Sequence, residues 1–317
     1  MNDGLSKSYE SENDQSYEDE IQSYDLPLVD EEDVAILMHR EVHFGGHFDL
    51  MLAEYKKEGR GAVLNADIKR IQKLQKEEER LIANLAPILL SGRDAEKVAE
   101  AKKMYQELAE VCEKGHDSLA KSIISLILAE KKELPKIRKE ILAFQDKAIP
   151  PLIEIISSQK LQDPLFPGYG LAPMEAASLL GKLKAEKAIA SLFELLTSKE
   201  TSLFENEYEA VITKSLHQIG EKAKLYLKQL LQAEPITARH DMALLALLHF
   251  SSPDIAPFCL ELLKKFYKNL PFALYCCYAI DPRLANLQSP LEELKKKKDL
   301  PQPLLEELNR LEQKTKK

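Results

Sequence analysis

Three histidines, His39, His43 and His47, recur at steps of four, which on one helix would align their imidazoles along a single stripe. An i, i+4 histidine pair can bring two ring nitrogens onto one divalent ion, so His39, His43 and His47 are candidate metal ligands. At 100° per residue the stripe lies roughly 140° to 220° from the apolar face of the same segment. Glu41 points to another side, and no HExxH spacing supplies a zinc hydrolase's general base. The same stripe is also consistent with histidines packed between helices or facing a partner.

Tyrosine recurs in an acidic setting at the N-terminus, as Ser8-Tyr9-Glu10, Ser16-Tyr17-Glu18 and Ser23-Tyr24-Asp25. Tyr9, Tyr17 and Tyr24 are candidate phosphorylation sites, where each phosphate would add about −1.5 to −2 of charge. Lysines cluster at predicted helix turns: Lys182, Lys184 and Lys187, then Lys222, Lys224 and Lys228, then Lys264, Lys265 and Lys268. Aligned by stacking, they would form a ridge for an acidic protein or for phosphates. The segment Asp163–Pro173, DPLFPGYGLAP, is rich in proline and glycine and presents Leu165, Phe166 and Tyr169 as candidate partner contacts. Gly168-Tyr169-Gly170 lacks the third glycine and the preceding strand of a dinucleotide loop. P-loop, GxSxG and HExxH patterns are absent from the sequence, and no cofactor is expected.

The elements that would carry these residues are helical. The 317 residues are 44% hydrophobic and 30% charged, with only 11 glycines, a balance that favours a globular, helix-rich chain. Residues 1 to 33 hold twelve acids against Lys7, so they carry −11 of the formal net −8, and the remainder sums to about +3. Residues 1–29 are too poor in aliphatic groups to offset the entropy of ordering and are predicted to be a disordered acidic tail. Four cysteines without CxxC spacing fit a reduced, cytoplasmic setting, and no apolar run reaches the roughly 18 residues of a membrane span.

Asp30 is the predicted N-cap of the first helix, with Glu31, Glu32 and Asp33 in its first turn. That helix would run to about Lys57 unless Gly45-Gly46 breaks it, because each glycine costs roughly 1 kcal/mol in a helix interior. A second helix is predicted from about Ala66 to Leu90, kinked by Pro87, and a third from Asp94 to Cys112, the two pairing as an antiparallel hairpin. With an apolar helix at 118–130, residues 30–133 form a predicted N-terminal helical bundle.

From Leu134 the apolar pattern shortens into paired helices. Their second members end at Ile156, Leu196, Leu231 and Leu263, at steps of 40, 35 and 32 residues, and the pattern returns weakly near Leu294. Two-helix periods of this size indicate an α-solenoid. The clearest unit is Met174–Leu196. Its Ala176-Ala177-Ser178-Leu179-Leu180-Gly181 and Ala188-Ile189-Ala190-Ser191-Leu192 are followed by Ser215-Leu216-His217-Gln218-Ile219-Gly220 and Ile255-Ala256-Pro257-Phe258-Cys259-Leu260. In these residues the chain resembles the HEAT-repeat family over about 134–294, with residues 295–317 a basic C-terminal helix or tail.

The resemblance implies a curved scaffold that binds another macromolecule along a helical face. HEAT-like lysine hydroxylases use His-Glu dipeptides as iron ligands, and none occurs here; HEAT-like DNA glycosylases use tryptophan, which the chain lacks. The expectation is therefore an all-α, non-enzymatic adaptor for a protein partner. A nucleic-acid-binding protein using the lysine ridge and a metal-binding protein using the histidine stripe are the alternatives.

Overall fold

The computed structural model describes residues 29–58, 68–129, 132–198, 205–250, 252–280 and 285–315. Tyr9, Tyr17 and Tyr24, with the acidic segment that holds them, lie outside these residues. Among the described residues all regular structure is helical, and no helix is long and apolar enough to cross a membrane.

The first six helices are α1 (Glu31–His43), α2 (Phe48–Glu58), α3 (Ile68–Leu81), α4 (Ala86–Leu89), α5 (Arg93–Lys114) and α6 (Ser118–Leu128). Asp30 caps α1 through its side chain, accepting from the backbone N–H groups of Glu32 and Asp33. Arg70 on α3 then gathers Asp30, Glu32 and Asp33, which pins that end of α1. Gly45 and Gly46 do break the segment: both take positive φ (+58° and +84°), so the chain turns between α1 and α2.

Two expectations for this region change. The long helix predicted to Leu90 stops at Leu81, because Ile82 adopts a left-handed φ of +50°; Pro87 then starts α4 instead of kinking a longer helix. Nor do α3 and α5 pair as the principal hairpin. Helix α1 packs on α3, α4 and α5, while α5 makes its other main contact with α6. Wholly buried Arg40 of α1 explains the arrangement, since it reaches Glu78 (2.6 Å), Asn84 (2.7 Å) and Glu41 (3.0 Å) and lies 4.2 Å above the Phe48 ring.

The chain continues as α7 (Leu134–Ala143), α8 (Ile149–Ser157), α9 (Gln159–Gln162), α10 (Ala172–Lys182), α11 (Ile189–Thr197) and α12 (Glu205–Ile219). It ends with α13 (Glu221–Gln232), α14 (Ala238–Leu248), α15 (Ile255–Phe266), α16 (Leu270–Tyr278), α17 (Ala285–Lys295) and α18 (Gln302–Thr315). These helices pack in succession: α8 on α10 and α11, α10 on α12, α13 on α14, α15 on α16, and α17 on α18. The apolar positions of Met174–Leu196 face inward, with Ala176, Ala177, Leu179, Leu180, Leu192 and Leu195 buried. Gly181 is small for a reason: a Cβ there would come within 2.7 Å of Ser215 Cα and 2.6 Å of Gln218 Oε1, so α10 and α12 touch almost backbone to backbone.

Two apolar clusters result. One runs from Ile123 on α6 to Leu311 on α18. The other joins α1 to α5, and Leu165 and Phe166 return to it from the connection between α9 and α10.

Candidate functional site

The α1 histidines, the α9–α10 connection and one face of α5 meet where the two clusters adjoin. His47 does not join them. It lies beyond the Gly45-Gly46 turn and is exposed, so the three-residue stripe becomes a pair. His39 is buried, with its ring 4.4 Å from His43 and 5.6 to 6.3 Å from Phe44, Tyr169 and Tyr55. Burial, followed by the neighbouring His43, holds its pKa well below the ordinary imidazole value, and its Nε2 has no hydrogen-bond partner.

His43 is fully engaged. Pro164's carbonyl can only accept, so at 3.1 Å it fixes the proton on Nε2; Nδ1 then accepts from the Tyr105 hydroxyl at 2.9 Å. The Tyr169 ring stacks on His43 at 4.2 Å. Burial lowers the His43 pKa to about 4, against a smaller upward pull from the carbonyls of Pro164 and Leu165. Burial also raises the Tyr105 phenol, so at neutral pH both groups are uncharged. A neutral imidazole with both nitrogens occupied serves as a clasp on the connection, and its one basic lone pair, on Nδ1, is already taken by the Tyr105 hydroxyl. Among the described residues, no group of three or more His, Cys, Asp or Glu side chains is placed to hold a metal ion.

Leu165 and Phe166, expected as exposed partner contacts, are instead 7% and 3% exposed and belong to the cluster that joins α1 to α5. The connection that carries them also runs close to its neighbours. Gly168 and Gly170 take positive φ, and a Cβ on either would come within 2.6 Å of the Ile127 carbonyl or 2.8 Å of the Gln162 carbonyl. This close passage lays the end of the connection against α6 and the end of α9. Tyr169, itself at φ +54°, is partly buried against His43, and Tyr208 donates its hydroxyl proton to the Gly170 carbonyl. Ion pairs Lys97–Asp163 and Lys160–Glu100, both 2.6 Å, tie the outer side of the connection to α5 across a polar cleft of about 510 Å³.

The lysines divide into two groups. Lys182, Lys184, Lys187 and Lys222 are exposed and make no ion pair among the described residues. The Gly181 contact with Ser215 and Gln218 sets their two turns side by side. Lys147, at the equivalent turn of the preceding helix pair, is also exposed. Lys224 does not belong with them. It is 6% exposed, and its ammonium meets Glu221 (2.9 Å), Asp254 (3.1 Å) and Ser252 (3.1 Å). Lys228 also pairs with Asp254 and lies over Phe258, while Lys264, Lys265 and Lys268 pair with Glu261, Glu234 and Asp299. Downstream of residue 222 the ridge is neutralised within the fold.

Tyr105, Arg40 and Lys147 were not anticipated as contributors to these regions. Tyr105 lies within the helix predicted from Asp94 to Cys112 with no motif around it, and Arg40 stands beside the histidines without a pattern of its own. Comparison with protein-family models, curated proteins and solved structures gave no match.

Proposed function

We propose that the chain is a non-enzymatic adaptor in which residues 134–294 form a HEAT-like α-solenoid and engage an acidic protein segment along one turn edge. The observation that carries this reading is the division of the lysines. Lys182, Lys184, Lys187 and Lys222 stand exposed and unneutralised on two adjoining turns, whereas Lys224, Lys228 and Lys265 are paired between successive helices. The packing of short helices on their near neighbours supports a solenoid. A cytoplasmic setting is part of the reading, since the described chain holds its cysteines as free thiols, three of them buried.

Exposed ammonium groups also suit phosphates, which keeps nucleic acid as the second reading. A photo-crosslinking residue at position 184 or 222 of the full chain separates the two in cells. The expected result is a discrete protein adduct that charge reversal of the other edge lysines abolishes. A nucleic-acid adduct with the same dependence would transfer the edge to the second reading, and adducts indifferent to those charges would remove both.

A further inference from the structure

The same chain carries an acidic segment that matches the turn edge in charge. Residues 1–28 carry eight carboxylates (Asp3, Glu10, Glu12, Asp14, Glu18, Asp19, Glu20 and Asp25) against Lys7, a net −7. The described chain begins beside Asp30, and 28 residues at roughly 3.3 to 3.6 Å each can span roughly 95 Å, ample to reach any part of a domain this size. The lysines of the turns downstream are less available. Lys224, Lys228, Lys264, Lys265 and Lys268 are paired, and Lys297 lies 3.9 Å over the Tyr267 ring. Lys182, Lys184, Lys187 and Lys222, with Lys147 alongside, face solvent; Asp146 and Glu186 dilute them only in part.

We propose that residues 1–28 dock intramolecularly on the edge formed by Lys182, Lys184, Lys187 and Lys222 and compete there with the acidic partner. This inference rests on the edge being the partner-binding surface. Tethering gives the segment an effective concentration on the order of millimolar, so a weak electrostatic contact suffices to occupy the edge. Tyr9 and Tyr17 stand next to Glu10 and Glu18. Phosphate on either would strengthen the internal contact and weaken access by others.

The test uses the full-length chain and a labelled glutamate decamer as the probe. Three forms are compared at low salt: the native chain, a tail-neutralised form (E10Q, E12Q, E18Q, D19N, E20Q) and an edge-reversed form (K182E, K184E, K187E, K222E). The tail-neutralised form is expected to bind the probe about tenfold more tightly than the native chain, because a competitor at millimolar effective concentration has been weakened. The edge-reversed form should lose binding. Equal affinity of the native and tail-neutralised forms, with loss on edge reversal, overturns intramolecular docking and leaves the edge intact as a partner site. Unchanged affinity after edge reversal overturns both. A second readout needs no variant: zero-length carbodiimide coupling of the native chain should join Glu10, Glu12, Glu18, Asp19 or Glu20 to the edge lysines and fade at about 1 M salt, where the Debye length is about 3 Å. Coupling concentrated on Lys295–Lys298 would overturn the assignment.

Discussion

The connection at residues 163–171 and the turn edge at residues 182–222 belong to the same run of helices, yet they treat their functional groups in opposite ways. In the connection, the Pro164 and Gly170 carbonyls accept from His43 and Tyr208, Asp163 pairs with Lys97, and Leu165 and Phe166 are buried. On the edge, four ammonium groups face water. Folding has satisfied the first region, so its residues should report on stability. It has left the second unsatisfied, so those residues should report on binding.

The largest expected effect is in the connection. Phe166→Ala opens a cavity in the α1–α5 cluster and should cost about 3–5 kcal/mol, read as a lower urea midpoint with unchanged slope. A loss below about 1 kcal/mol would erase the contrast between the regions. Next is the pH dependence of the clasp. The folded His43 pKa is depressed to about 4 from the ordinary 6.5, so the unfolded chain takes up a proton that the folded chain refuses. Stability is therefore complete above about pH 6.5 and declines as pH falls toward 4, by on the order of 2–3 kcal/mol. His43→Gln should shrink that dependence in urea titrations at stepped pH, leaving the part that buried His39 contributes. Asp254, held far below the usual carboxylate range first by Lys228 and then by Ser252, contributes only at still lower pH, as it becomes protonated.

Two lysines two residues apart sharpen the comparison further. Lys224→Met removes the cation shared by Glu221 and Asp254 and should cost about 1–2 kcal/mol. Lys222→Met should stay within about 0.5 kcal/mol by the same thermal or urea measurement, while weakening capture of an acidic probe. Equal stability costs at the two positions would mean that the edge is as internally engaged as the ridge beyond it.

Much of the helical framework was legible because it depends on local pattern. Asp30 as a cap, the inward face of Met174–Leu196 and the shortened pairs after Leu134 follow from side-chain type and spacing alone. What stayed hidden depends on partners distant in sequence. Nothing around Phe166 shows that residues between positions 36 and 101 will share a core with it, and nothing distinguishes Lys222 from Lys224 until Ser252 and Asp254 arrive beside the latter. His39 and His43 were visible as a pair with i, i+4 spacing, but the engagement of both His43 nitrogens comes from Tyr105 and Pro164, 62 and 121 residues away. Glycine at 45 and 46 signalled either a break or a close approach, and only the φ values choose between them.

The return of Leu165 and Phe166 to the α1–α5 cluster also sets a schedule for synthesis. As the chain leaves the ribosome, helices α1 to α5 emerge complete, but the apolar surface they share remains open until the connection after α9 follows them out. During that interval the nascent chain displays a patch suited to chaperones or to misassociation, and a pause in translation before residue 165 would prolong it. A ribosome stalled just after α6 should therefore hold a protease-sensitive intermediate, and one stalled well beyond α10 should not.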